Sequence, residues 1–274
     1  MSEDPNRCRL VLRGAECVAS CLRHHPRALR EVHMTAAGEQ ALAEHADALR
    51  GLGIPLRLVS ESELQRTAEG PCTDACAVTL RPEPGLARVG DFTDWREAHE
   101  TVVIADGVRD PSALAAIARA MSAFGLRRLL LSSGSEKLAH HPDAWAEARG
   151  AMEEVVLMRA AALGGLLGLV EDRCCVVALS PSQGRNIDLG VPVRVPGRHL
   201  ALPVSGGELD PDLRSKVAHL FRFPGRADSR RLSLAEVFPV AAARLTSAPI
   251  PRKDGFLARK RARHSKGKGS NPSQ

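Results

Sequence analysis

Thr101–Gly125 reads TVVIADGVRDPSALAAIARAMSAFG, and this stretch decides the architecture. A short apolar run, Val102–Ala105, breaks at Asp106-Gly107 and then meets Asp110-Pro111. That pair is an N-cap residue followed by a proline at the first helical position. The spacing predicts a helix of about a dozen residues, with Leu114, Ile117, Met121 and Phe124 on one face. The unit is strand–loop–helix, and its loop and first-turn N–H groups are natural places to hold a ligand.

Outward from this unit, elements continue to alternate. Before it, strands are predicted at Arg9–Leu12, Leu29–His33, Pro55–Val59 and Ala75–Leu80, with helices at Ala15–His24, Glu39–Leu52 and Glu61–Thr67. After it come strands Arg128–Leu131, Val155–Met158, Cys175–Leu179, Leu200–Pro203 and Leu220–Phe223. Helices are predicted near Asp143–Ala148 and at Ala160–Val170, Asp210–Ala218 and Leu234–Leu245. Strands separated by helices argue for an α/β fold with a mainly parallel sheet covered on both faces. Residues 83–99 are rich in Pro, Gly and charge and read as a linker. The expected domains are therefore 1–82 and 100–250, followed by a tail at 251–274.

The 274 residues suffice for two modest cores, and 44% hydrophobic with 26% charged residues is a globular composition. Aromatics are only 3%, with no Tyr, which argues against recognition by rows of stacked rings. No run approaches a membrane span, and MSEDPNRCRL lacks the basic and apolar regions of a secretory signal. Seven irregularly spaced cysteines read as free thiols in a reducing cytoplasm, so a cytoplasmic location is expected. Cys17/Cys21 and Cys72/Cys76 share a CxxxC spacing but lack matching His partners, and no metal site is expected. His24-His25 and His140-His141 are adjacent pairs, and sequence neighbours do not converge on one ion.

The net charge of +6 is unevenly placed: residues 252–274 hold eight Lys and Arg against Asp254, leaving the other 251 residues at −1. A cationic, nearly apolar-free tail is expected to be a disordered arm suited to phosphate backbones. There is no GxGxxG to support a dehydrogenase and no GxSxG elbow to start a serine hydrolase.

The Thr101–Gly125 stretch resembles the first motif of the SpoU (TrmH-like, SPOUT class) RNA ribose 2′-O-methyltransferases, in outline LDGVxDPxNxGAIxRTAxAFG. Asp106, Gly107, Val108, Asp110, Pro111, Ile117, Arg119, Phe124 and Gly125 keep its spacing, while Ala113 and Ala115 replace its Asn and Gly. Gly14, Val18, Leu22, Pro26, Arg27, Leu29 and Val32 echo the L30e-like RNA-binding domain that precedes many such catalytic domains. The resemblance implies a small L30e-like α/β domain and a C-terminal α/β trefoil-knot methyltransferase domain. It also implies S-adenosylmethionine as cofactor, structured rRNA or tRNA as substrate, and a homodimer.

Three further segments stand where the family clasps its cofactor. Pro203–Leu209 takes the place of GxEGxGL and keeps Gly206 and Leu209, with Pro203 and Ser205 substituted. Phe223-Pro224 replaces an IP pair, and Ser233–Val237 replaces SLNVS, with Ala235 for the Asn. The resemblance thus assigns Gly206, Leu209, Phe223, Pro224 and Leu234 to the cofactor and Arg119 and Ser233 to catalysis. Ser233 with Glu236 is equally a capping box. From helical periodicity alone, Arg119 lies opposite the apolar stripe and reads as a solvated arginine. A guanidinium is normally never deprotonated, so a catalytic Arg119 either sits where its acidity is strongly raised or acts as a cation on the alkoxide. Arg222, Arg226, Arg230 and Arg231 read either as a phosphate-facing patch, the preferred reading, or as a solvated loop. The five substitutions also support a rival reading, a catalytically decayed RNA-binding protein on the same scaffold.

Overall fold

A computed structural model describes residues 7–171, 174–179, 185–186, 199–205, 209, 211–222 and 234–246. The chain begins with β1 (Arg7–Arg13), α1 (Ala15–His24), β2 (Leu29–Met34), α2 (Ala36–Ala41), α3 (Ala46–Gly51), β3 (Leu56–Leu58), α4 (Glu61–Ala68) and β4 (Ala75–Pro82). These strands form a four-stranded sheet in the order β1-β4-β2-β3, antiparallel except for β2 with β3. Gly14, at φ 96°, turns β1 directly into α1, a backbone conformation that glycine adopts without a Cβ penalty. α1 then buries Ala15, Cys17, Val18, Cys21 and Leu22.

The single helix expected at Glu39–Leu52 is two. A 3-10 turn at Ala43–His45 separates α2 from α3, and the bend leaves both Leu42 and Leu49 buried. α2 starts on the Thr35 hydroxyl, which accepts from the Gly38 N–H.

The second part comprises β5 (Gly85–Leu86), α5 (Val89–Glu97), β6 (Val102–Asp106), α6 (Pro111–Ala123), β7 (Arg128–Leu131), α7 (Pro142–Glu147), β8 (Val156–Arg159), α8 (Leu163–Leu169) and β9 (Cys174–Leu179). It closes with β10 (Arg185–Asn186), β11 (His199–Ser205), α9 (Pro211–Ser215), β12 (His219–Arg222) and α10 (Leu234–Thr246). Its eight strands pair in the order β10-β12-β9-β11-β6-β7-β8-β5, and every pair is parallel. The α/β class with a parallel sheet read from the sequence is thus the observed one.

The stretch expected to be a linker is folded. Gly85 and Leu86 pair with β8, and α5 buries Phe92 and Trp95. Those rings lie 4.8 Å apart in a core with Val102, Ile104, Val176 and Leu213. The apolar spacing Val89, Phe92, Trp95 is helical, but the charges between it hide the signal. A second, larger core runs without interruption from Leu10, Val18 and Val32 to Val103, Ile117, Leu131 and Phe238, so the two sheets share it.

Polar contacts secure the seam. Arg81 is bidentate on Glu153, both buried, with its guanidinium 4.8 Å from the Trp145 ring centroid. Arg13 pairs with Asp143, and the Ser20 hydroxyl donates to the Gly150 carbonyl at 2.9 Å.

Candidate functional site

β6 ends at Asp106, and Gly107 takes φ 61° to leave the sheet. The Ser132 hydroxyl, just past β7, donates to Asp106 Oδ1 at 2.7 Å and accepts from the Gly107 N–H at 3.1 Å. Asp110 then caps α6 by accepting from the Ser112 N–H at 3.1 Å, with Pro111 in the first turn. This is the strand–loop–helix unit read from the sequence. Ser132 was missed; its signal is a hydroxyl directly after the apolar run RLLL.

β11 lies between β6 and β9, and Ser205 pairs with Asp106. The carboxyl ends of β6, β11, β9 and β12 therefore form one face where strand order reverses. In open parallel sheets that is where ligands bind. Pro203, expected both to end a strand and to open the first cofactor segment, lies within β11, and so does Ser205, expected in that loop; β11 pairs with β6 from Ala201 to Ser205. The ladder from β11 to β9 skips Leu202 and Pro203, and a proline has no N–H to give to it. The proline thus sits inside the sheet rather than in the turn beyond it.

Leu209 is buried beside Leu213 and Leu167, so it anchors the segment after β11 by its side chain. Leu234 opens α10, which packs against α6 and β11. Gly206, Phe223, Pro224 and Ser233 lie outside the described residues, as do Arg226, Arg230 and Arg231. Arg222 is exposed at the end of β12.

α6 is buried from Leu114 to Ala118 and again at Ala120 and Met121, leaving Arg119 exposed between them. Its alanines let α7 and α10 approach from the sides while Leu114, Ile117 and Met121 enter the core. Phe124 is partly exposed rather than completing the stripe. Arg119 donates to the carbonyl of Glu147, the last residue of α7, where a helix leaves acceptors unsatisfied and favours a cation. It lies eight residues beyond Pro111, roughly 12 Å along the helix from the strand-end face. Ala115, standing where the motif has Gly, is fully buried, and Ala113 is half-buried.

A cavity of about 630 Å³ lies elsewhere. It opens on the seam between the two sheets, lined by Arg81, Glu83, Arg127, His140, Trp145 and Glu154 among others. No helix among the described residues is long and apolar enough to cross a membrane.

No family model and no curated protein matches the sequence. Solved structures do match the fold. The SpoU methyltransferase AviRb from Streptomyces viridochromogenes, in complex with the cofactor AdoMet, superposes at TM-score 0.68 with 14% identity, over 87% of this chain and 89% of that one. An RNA 2′-O ribose methyltransferase gives 0.66 and 19%, over 87% and 86%. An rRNA methyltransferase from Sinorhizobium meliloti gives 0.65 and 17%, over 86% of each chain. The chain shares the fold of these methyltransferases.

Proposed function

We propose that the protein is an S-adenosylmethionine-dependent RNA ribose 2′-O-methyltransferase acting on structured rRNA or tRNA. The observation that carries this reading is the placement of the Asp106–Pro111 turn. It lies at the carboxyl end of β6 beside the end of β11, at the reversal of strand order in a fold shared with AdoMet-binding enzymes. The segments at Gly206–Leu209, Phe223-Pro224 and Leu234 follow or flank the ends of neighbouring strands, so backbone groups from all three would hold the cofactor. Pro203 lies within β11 and not in the turn beyond it. The trefoil knot remains part of the proposal; β11 entering between β6 and β9 after an excursion to the sheet edge supports it.

When bound, the cofactor supplies a methyl group on a sulfonium sulfur, so the chain has mainly to align a nucleophile. Arg119 would place a cation beside the ribose 2′-oxygen and stabilise its developing negative charge. Its exposure leaves it reachable by RNA, and a homodimer would offer a second copy's strand-end face to it.

The rival reading, an RNA-binding protein without catalysis, is favoured by Ala113, the buried Ala115 and Ala235, which lack the hydrogen bonds and close approach of the motif's Asn and Gly. Calorimetric titration with S-adenosylmethionine separates them. The enzyme gives binding heat, and Arg119→Ala binds the cofactor equally well while methyl incorporation into RNA falls by about 10²-fold or more. Absence of heat at high protein concentration selects the rival.

A further inference from the structure

Three side chains distant in sequence converge beside the seam cavity. Cys8 stands near the start of β1, and Glu83 follows the end of β4. Antiparallel pairing sets Cys8 opposite Arg81, which brings Glu83 alongside it. His140 arrives from the larger part of the chain, at the end of the 3-10 turn Glu136–His140. The Cys8 thiol donates to Glu83 Oε1 at 2.8 Å, and His140 Nε2 lies 3.4 Å from Glu83 Oε2. Among the described residues, one thiol sulfur, one carboxylate oxygen and one imidazole nitrogen are here within 4.8 Å of one another. Both ring nitrogens of His140 are buried and make no hydrogen bond, an arrangement that is costly unless something else satisfies it.

A nucleophilic cysteine is a poor account of the cluster. The thiol donates to a carboxylate rather than to an imidazole, and that bond raises it above the ordinary thiol range. Reactive cysteines sit in electropositive surroundings that do the opposite. The set of one S, one N and one O donor instead suits a borderline-soft divalent ion, which binds tetrahedrally through three protein ligands and an open fourth position. Ligand bonds of about 2.0–2.3 Å place tetrahedral donors roughly 3.3–3.8 Å apart, which small side-chain rotations reach from the observed arrangement. Glu83 and His140 also line the cavity of about 630 Å³, so the fourth position has room for water or a small ligand.

We propose that Cys8, Glu83 and His140 form a binding site for a zinc-class divalent cation that clamps the β1–β4 edge to the larger sheet's 3-10 turn. Binding releases the Cys8 proton to solvent, and the thiolate and carboxylate together balance the ion's two charges. His140 Nε2, which approaches Glu83 without a hydrogen bond, gains a ligand bond. The site is independent of methyl transfer and lies away from the strand-end face.

The test is cobalt titration of the full chain after chelator treatment. One equivalent of Co²⁺ produces a near-ultraviolet thiolate-to-cobalt charge-transfer band, and Zn²⁺ displaces it. Cys8→Ser abolishes the band, Cys72→Ser retains it, and His140→Ala and Glu83→Gln each weaken binding by roughly tenfold or more. Far-ultraviolet circular dichroism checks that each variant is folded, and His140→Ala carries the test should Cys8→Ser fail to fold. Absence of the band, its survival in Cys8→Ser, or undiminished affinity in His140→Ala overturns the site.

Discussion

Arg81 and Glu153 form an exacting pair, because both are buried where an unmatched charge has no water to turn to. The carboxylate accepts both guanidinium nitrogens, and Trp145 covers the cation. Glu153→Ala leaves Arg81 buried and unpaired and is expected to lower stability by about 3–5 kcal/mol in urea unfolding. Arg81→Met with Glu153→Leu removes both charges and is expected to recover most of that loss. Thiols supply a second residue-scale outcome. Burial pushes Cys17 and Cys76 up to about 12 and raises Cys21 as well. An unfolded thiol ionises near pH 8.5, at about that value, so above it the unfolded chain holds fewer protons than the folded one. Stability is therefore full below about pH 8 and falls as pH rises toward the folded values, by up to about 1.4 kcal/mol per pH unit for each thiol. Urea midpoints measured from about pH 7.5 to about pH 10 should fall, and fall less steeply in Cys17→Ala/Cys76→Ala. The sequence identified these cysteines as buried free thiols from their spacing and lack of His partners. It could not identify Cys8 as a different kind of cysteine, because its neighbours Glu83 and His140 are supplied by tertiary pairing alone.

At the scale of elements, local signals were strong wherever a cap or a run stood alone. Asp110-Pro111 marked the start of α6, and Arg128–Leu131 marked β7, residue for residue. The signal failed where tertiary contacts override local chemistry. The strand expected to end at Pro203 continues through Ser205, because β6 supplies an uninterrupted ladder on one side. Likewise Pro84 and Gly85 argued for a linker, while Phe92 and Trp95 are covered by β6, β9 and the segment around α9. That difference has a direct measure. A tryptophan in a solvated linker can be replaced with little effect, whereas Trp95→Ala in α5 should cost about 3–5 kcal/mol. Equilibrium denaturation of the variant decides between the two, and an unchanged midpoint would mean that α5 is not part of the core.

For the whole molecule, the sequence led to the right class of fold because the repeated strand–helix alternation is a global pattern, while strand order is not. β11 entering between β6 and β9 depends on pairings remote in sequence, and no periodicity encodes them. Charge is the other whole-molecule property, and it is concentrated at one end. Arg259, Lys260, Arg261, Arg263, Lys266 and Lys268 all lie within 256–274, while residues 1–251 carry a net −1. Under the RNA-binding reading, such a segment adds affinity by releasing counterions, and each phosphate it neutralises adds about 0.7–0.9 to the slope of log K against log salt. Deleting 256–274 removes six cations and should flatten that slope by up to roughly four to five units. Affinity should drop most at low salt and converge with the full chain as salt rises. S-adenosylmethionine binding, proposed at the strand ends, should be unaffected. Filter binding to an rRNA fragment across a salt series measures the slope, and an unchanged one would show that the tail does not engage the phosphate backbone.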